Sequence, residues 1–119
     1  VAIRRELNDF GYLVTDLSYR ALAYLAKGDR PAARRDVDEA LGMLQAGVFG
    51  VEQPQNVFLN AYDVLLALGD VPAAEQALTR GVAMVRAQLD TMDERSRVLA
   101  ATKVRANRQL LAAAGAQRL

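Results

Sequence analysis

The side chains that could do acid–base chemistry are concentrated in the run RRDVDE, residues 34–39, which carries three carboxylates. Residues two apart on a helix point away from each other, so Asp36 and Asp38 cannot act on the same substrate atom. Asp36 and Glu39 can share a helix face, but an exposed carboxylate pair has nothing around it that would raise either pKa toward neutrality. This run therefore predicts a solvated helix face rather than a catalytic pair.

The residues that other kinds of catalysis and metal binding require are also missing from the sequence. The sequence contains no histidine and no cysteine, which removes nucleophile systems that depend on them and the usual ligands of zinc. No glycine-rich phosphate-binding stretch of the GxxxxGK[ST] or GxGxxG type occurs. The sequence predicts a protein that is not an enzyme and that has no catalytic residue, no metal site and no cofactor.

The charge balance bears on the partners that the protein could bind. The 119 residues include 15 basic and 14 acidic side chains, which gives a formal net charge of +1. Proteins that bind nucleic-acid backbones usually carry a clear positive surplus, because each contact neutralises a phosphate. From Arg95 onward the chain has six basic residues and no acidic one. We interpret this segment as a solvated helix face, with a nucleic-acid contact as the alternative.

No stretch of the sequence is typical of a membrane span or of a secreted protein. No apolar run approaches the length of about 20 residues that crosses a bilayer. No signal-peptide pattern follows Val1, and the lack of cysteine gives no support for an oxidising compartment. The expectation is a single domain over residues 1–119, cut from a longer cytoplasmic polypeptide and without membrane contact.

The elements that must position the polar side chains are predicted to be helices throughout. Apolar residues recur at steps of three and four, without the alternation or the hairpin turns typical of strands. Gly28 and Gly69 each end such an apolar stripe, and each is followed by an aspartate and, two residues later, a proline. This pattern is typical of one helix ending and another beginning. The sequence predicts an all-α domain of about five helices, with a loop near residues 47–55. The last helical segment is expected over 94–113, and its larger apolar residues are Val98, Val104, Leu110 and Leu111.

The sequence contains the pattern of a helical hairpin twice. The stretch LLALGDVPAAEQAL, residues 65–78, repeats the pattern of YLAKGDRPAARRDV, which begins 41 residues earlier. This register aligns Gly28 with Gly69, and it places the small residues Ala33 and Ala74 where antiparallel helices approach each other. The expectation is two hairpins, over about 12–47 and 56–90, in which each leaves an apolar face that the next one covers.

These positions resemble the tetratricopeptide repeat family, which places small and large residues at fixed distances after the glycine between its two helices. The matching positions are Ala33, Val37 and Ala40 in the first copy and Ala74, Leu78 and Gly81 in the second. Two features depart from the family: the spacing is 41 residues rather than about 34, and Tyr62 stands where a small residue is preferred. The resemblance implies antiparallel hairpins that stack as a superhelix and bind protein.

The C-terminal half resembles the end of the repeat region in large bacterial signalling ATPases and transcriptional regulators. The residues that carry this second resemblance are Asp93, Arg97, Val104, Asn107, Arg108, Leu110 and Leu111. Ala100 and Ala101 depart from that family, because they replace a bulky apolar pair. The resemblance implies a cytoplasmic role in bacterial signalling or in the regulation of transcription.

In stacked hairpins the first helix of each unit lines a concave surface, so its outward positions are candidates for binding. The candidate partner-binding residues are Thr15, Ser18, Tyr19, Leu22, Asn56, Asn60 and Asp63. Water on an open face is the simpler explanation of the polar side chains among them. The functional explanation is hydrogen bonding to a peptide or to a neighbouring domain.

We therefore interpret the chain as a non-catalytic protein–protein interaction or scaffold module of a bacterial regulatory protein. Its partner would be a peptide, or a domain of the same polypeptide, on the concave face. Two alternatives remain. One is a nucleic-acid-associated domain that uses the basic C-terminal helix. The other is a structural cap or dimerisation element, in which LLAAAGA, residues 110–116, closes the array or pairs with a second copy.

Overall fold

The structure is a computed structural model that describes the backbone of residues 2–47, 54–103 and 105–117 and the side chains of residues 12–47, 54–101 and 105–115. Every regular element in these ranges is an α-helix, which confirms the predicted all-α class. The described chain forms six helices: α1 (Ala2–Ala26), α2 (Arg30–Gln45), α3 (Pro54–Ala67), α4 (Val71–Asp90), α5 (Glu94–Lys103) and α6 (Arg105–Gln117). No helix within these ranges is both long enough and apolar enough to cross a membrane.

The two turns inside the hairpins have the same backbone geometry. Gly28, between α1 and α2, has a φ of 83°, and Gly69, between α3 and α4, has a φ of 84°. After the first glycine, the amide of Asp29 donates to the carbonyl of Tyr24 at 2.9 Å, and the second turn has the equivalent bond. Glycine suits both positions because this left-handed conformation is strained for a residue with a Cβ atom. The repeated sequence thus produces the same helix end twice.

The helices that follow these turns also begin alike. The side chains of Asp29 and Asp70 accept hydrogen bonds from the backbone amides of Ala32 and Ala73, each at 3.2 Å. Each aspartate is an N-cap, which satisfies an amide that the first turn of a helix leaves without a partner. α3 begins at Pro54, inside the predicted loop. A proline fits there because the first turn of a helix needs no amide donor.

The second hairpin packs on the first through α3, which contacts both α1 and α2. Buried residues of α1, α2, α3 and α4 form one cluster, in which alanines let the helix axes approach closely. The members of this cluster are Ala21, Ala33, Val37, Ala61, Val64, Leu65, Ala74 and Ala77. Tyr62, which departs from the family pattern, is only partly buried and packs against this cluster and against the one formed with α6. Stacking therefore covers the apolar face that each hairpin would otherwise expose.

The last predicted segment forms two helices where a single one was expected. Ala106 and Leu110 of α6 are buried, and α6 contacts both α3 and α4. α5 lacks a consistent apolar face, and Val98, one of its larger apolar residues, is 56% exposed. Val104, which belonged to the same prediction, lies outside the described residues. Within the described residues, α6 therefore packs more extensively against the stacked hairpins than α5 does.

Side chains bonded to backbone carbonyls hold the junction of α4, α5 and α6. Arg97 donates to the carbonyl of Leu89 near the end of α4, at 3.1 Å, and to that of Met92 just beyond it, at 3.2 Å. The side-chain amide of Asn107 donates to the carbonyl of Ala100 at 3.3 Å, which ties α6 to α5. Arg97 and Asn107 are two of the residues that carry the second resemblance, and both have structural contacts here.

Two ion pairs connect different helices of the described chain. Arg20 of α1 forms a two-pronged pair with Asp36 of α2, with bonds of 2.7 and 2.9 Å. This guanidinium lowers the pKa of the fully buried Asp36 carboxyl, although burial acts in the opposite direction. Arg34 of α2 binds Asp70, the N-cap of α4, at 2.6 Å and so joins the two hairpins. Asp36, considered above for catalysis, is therefore part of a structural pair.

Candidate binding groove

A groove lies where α1, α3 and α6 meet, and we name it the α1–α3–α6 groove. It has a volume of about 220 Å³. Its lining residues are Tyr19 and Leu22 of α1, Asn56, Leu59, Asn60 and Asp63 of α3, and Arg105, Ala106 and Gln109 of α6. Pockets for small molecules usually span about 300–1,000 Å³. This groove has room for one or two side chains of a partner rather than for a whole cofactor.

Five of the seven residues that were predicted to bind a partner line this groove. These five are Tyr19, Leu22, Asn56, Asn60 and Asp63. The repeat explains why they meet: Asn60 and Asp63 occupy on α3 the positions that Tyr19 and Leu22 occupy on α1, 41 residues earlier. Because α1 and α3 contact each other, equivalent positions on the two helices become neighbours.

The other two predicted residues, Thr15 and Ser18, lie on α1 outside the groove lining. Ser18 is 1% exposed, and its hydroxyl donates to the carbonyl of Thr15 at 2.8 Å. The side-chain amide of Asn60 donates to the same hydroxyl at 3.2 Å. Buried polar groups need partners of this kind. Ser18 thus joins α1 to α3 beside the groove, and its hydroxyl faces protein rather than solvent.

Asp63 and Arg105 give the groove its charges. The side chain of Asp63 is exposed, although packed neighbours displace some of the water around its carboxyl. This burial raises the pKa of Asp63, and the positive charge of Arg105 partly opposes the rise. A raised carboxyl pKa means that the ionised form is less well solvated than in water. A cationic or hydrogen-bond-donating group of a ligand would therefore find a good acceptor at Asp63.

Four lining residues were not predicted from the sequence: Leu59, Arg105, Ala106 and Gln109. One signal for α6 was available, because Ala106 lies one helical turn before Leu110, which the apolar pattern had identified. Nothing in that pattern indicates that α6 docks against α3, since its stripe is made mostly of alanine. The third wall of the groove could therefore be found only from the folded arrangement.

Within the residues that the structure describes, no metal site accompanies the groove. No group of three or more potential metal ligands occurs among them. Two buried side-chain oxygens there have no hydrogen-bond partner, Oε1 of Gln55 and Oδ1 of Asn107, but neither residue lines the groove. Comparisons of the chain with protein-family models, with curated proteins and with solved structures gave no match. The function is therefore argued from the groove itself.

Proposed function

We propose that the chain is a non-catalytic protein–protein interaction module whose hairpins stack as in a tetratricopeptide-like superhelix. It binds a peptide, or a neighbouring domain of the same polypeptide, in the α1–α3–α6 groove. Its setting is a bacterial regulatory or signalling protein of the cytoplasm, which is the context implied by the resemblance of the C-terminal half.

The proposal is supported by one observation above others, the convergence of five predicted residues in a single groove. These residues were chosen by their position in the repeat and not by their proximity to one another. Tyr19 and Leu22 come from α1, and the other three come from α3. Concave surfaces that gather side chains from several helices are the usual binding surfaces of stacked helical repeats.

The side chains of the groove also suit a protein ligand. Tyr19 is 51% exposed and combines a large apolar ring with a polar tip. Tyrosines of this kind are among the residues that dominate the binding energy of protein interfaces. Leu22 and Leu59 add apolar side chains to the lining, and Asp63 adds an acceptor. A segment that places an apolar side chain beside a cation would complement this set.

The proposal predicts that Tyr19 is needed for binding and that Tyr12 is not. Peptides selected against the wild-type protein from a random-sequence display library should bind the Tyr19→Ala variant about tenfold more weakly, because truncating an interface aromatic commonly costs more than 1 kcal/mol. Tyr12 is 63% exposed on the same helix and does not line the groove, so Tyr12→Ala is the matched control. Fluorescence anisotropy with labelled peptides measures both affinities.

Both tyrosines are exposed, so circular dichroism should show unchanged helical content in the two variants. A tenfold difference between the variants would then report on the groove and not on folding. Equal loss in both variants, or no loss in either, would contradict binding in the α1–α3–α6 groove.

The contacts of the basic residues do not favour the nucleic-acid alternative. Arg97 is bonded to the carbonyls of Leu89 and Met92, and Arg105 lines the groove with Asp63. Both arginines belong to the basic run that suggested phosphate binding. Arg97 already has acceptors in the protein and is therefore less available to neutralise phosphates.

A further inference from the structure

Ser18 fixes the orientation of the Asn60 side chain in the α1–α3–α6 groove. The hydroxyl of Ser18 has a single hydrogen, which it donates to the carbonyl of Thr15 at 2.8 Å. Toward Asn60 this hydroxyl can therefore only accept, and the side-chain nitrogen of Asn60 is the donor, at 3.2 Å. The oxygen of the same amide points away from Ser18, on a residue that lines the groove. Asn60 thus offers the groove a hydrogen-bond acceptor.

Asp63 places a second acceptor on the same wall. It follows Asn60 by three residues on α3, so the two side chains lie on one face of the helix, about one turn apart. Packed neighbours displace part of the water around the Asp63 carboxyl, which raises its pKa. A cation bound at this carboxylate compensates for the lost water. The α3 wall of the groove therefore combines one neutral and one charged acceptor.

Arg105 brings a positive charge to the α6 side of the groove. Its charge partly opposes the effect of burial on the pKa of Asp63, so the two groups interact across the groove. They do not form one of the ion pairs found among the described residues. The Asp63 carboxylate is thus not neutralised by a direct contact with Arg105, and the cation of a ligand can take that place.

We propose that the α1–α3–α6 groove selects a partner segment with a lysine or arginine side chain, whose cationic head binds Asp63 and the side-chain oxygen of Asn60. This inference rests on the proposed function, because it names the side chain that the bound peptide inserts. The aliphatic stem of such a side chain suits the apolar part of the lining, which comes from Tyr19, Leu22 and Leu59. The volume of about 220 Å³ accommodates a side chain of this length.

Acidic and neutral side chains complement the groove less well. A carboxylate would lie against the two acceptors of the α3 wall, while its own partner, Arg105, is exposed to water. Acceptors that face a negative charge discriminate against acidic partners. A neutral donor can bond to Asp63, but it leaves the negative charge of the carboxylate uncompensated. The groove therefore distinguishes a basic side chain from both other classes.

The test uses peptides selected against the wild-type protein from the random-sequence display library and synthesised without charged ends. In each peptide that Tyr19→Ala weakens, one lysine or arginine should be essential. Its replacement by norleucine, which keeps an aliphatic stem, should weaken binding about tenfold, because a hydrogen bond to a charged group is lost. Asp63→Asn in the protein should weaken the unchanged peptide by about the same factor and should not affect the norleucine peptide. Fluorescence anisotropy measures the four combinations.

Asp16→Asn is the matched control, since Asp16 is also exposed but lies on α1 outside the groove lining. It changes the net charge by the same amount and should leave binding unchanged. Arg105→Gln should strengthen binding of the basic peptide about threefold, because it removes a like charge from an exposed position. Asp63, Asp16 and Arg105 are all exposed, so circular dichroism should show unchanged helical content in the three variants.

The outcomes separate this inference from the proposed function. Peptides that depend on Tyr19 but have no essential basic residue would overturn the inference and leave the proposed function standing. The same holds if Asp63→Asn and Asp16→Asn change the affinity alike, or if Arg105→Gln weakens the basic peptide. If the library yields no binder, or if Tyr19→Ala and Tyr12→Ala weaken every peptide alike, binding in the groove is contradicted and both proposals fail.

Discussion

Replacing Arg20 by alanine is expected to destabilise the protein more than replacing its partner, Asp36. Asp36 has no exposed surface, and the guanidinium of Arg20 lies against it through two hydrogen bonds of 2.7 and 2.9 Å. Arg20→Ala removes both bonds and leaves the carboxylate without a cation. Removing one partner of a buried pair is more damaging than removing both, because the remaining charge has lost its water without compensation.

The Asp36→Ala variant and the double variant give the comparison. Asp36→Ala is expected to lose about 2 kcal/mol, as for other hydrogen bonds to charged groups. The side chain of Arg20 is 54% exposed, so after loss of its partner it can turn into solvent. The double variant should therefore be about as stable as Asp36→Ala and more stable than Arg20→Ala. Urea unfolding at neutral pH measures this order, and an Arg20→Ala variant as stable as Asp36→Ala would contradict a buried pair.

The ion pair between Arg20 and Asp36 also predicts how the relative stabilities of these variants change in acid. Arg20 lowers the pKa of Asp36 below its ordinary value of 3.8. A carboxyl with a lowered folded-state pKa stabilises fully above its ordinary pKa, and this stabilisation is lost as the pH falls through the lowered value. In the Arg20→Ala variant the guanidinium no longer lowers this pKa and burial raises it, so the carboxyl becomes neutral at a higher pH than in the wild type. The deficit of Arg20→Ala relative to the double variant should therefore disappear in acid.

We expect the Gly81→Ala variant to be less stable than the wild type by about 1–2 kcal/mol, because overpacking outweighs the better helix propensity of alanine. A Cβ atom at this position would lie 2.8 Å from the Cβ of Phe58 and 3.3 Å from Cδ2 of Leu110. The Cβ of Phe58 is attached directly to the backbone of α3. It cannot rotate away, so α3 and α4 would have to move apart.

Gly42 provides the matched control for this substitution. It also lies within a helix, α2, and a Cβ atom there would meet no atom within 4 Å. Gly42→Ala should therefore stabilise the protein by about 0.5–1 kcal/mol, the ordinary gain from replacing a helical glycine. Urea unfolding of both variants should give changes of opposite sign. Stabilisation by both would contradict the close approach of α3, α4 and α6 at Gly81.

The hairpins could be predicted from the sequence because their signals are local. Gly28 and Gly69 need a left-handed backbone, and the aspartate after each of them caps the next helix. These features act within a few residues and recur at the same spacing. The 41-residue register then predicted which helix positions are equivalent, and the shared cluster of buried alanines is consistent with that register.

Contacts between distant segments could not be predicted in the same way. The bond between Arg34 and Asp70 joins residues 36 positions apart in the sequence. Arg34 also pairs with Asp38, an acidic residue four positions away on its own helix. The docking of α6 depends likewise on which part of the last segment can be buried against α3 and α4. An alanine-rich stripe gives only a weak signal of this burial in the sequence.

The groove was predictable to the extent that it follows from the repeat. Equivalent positions on neighbouring helices lie side by side, which brought Tyr19 and Asn60 together. Ser18 lies only one position from Tyr19, and a rotation of about 100° per residue separates a buried side chain from an exposed one. The exact rotation of α1 against α3 is set by packing across the whole interface, so the burial of Ser18 could not be predicted from the sequence.

The α1–α3–α6 groove exists only if α1 and α3 lie side by side, and the bond between Asn60 and Ser18 reports on this directly. The side-chain nitrogen of Asn60 lies 3.2 Å from the hydroxyl oxygen of Ser18. A nuclear Overhauser experiment in solution should show a strong cross-peak between the side-chain amide protons of Asn60 and the β protons of Ser18. The absence of this cross-peak in the folded protein would contradict the stacking of the hairpins and the groove between them.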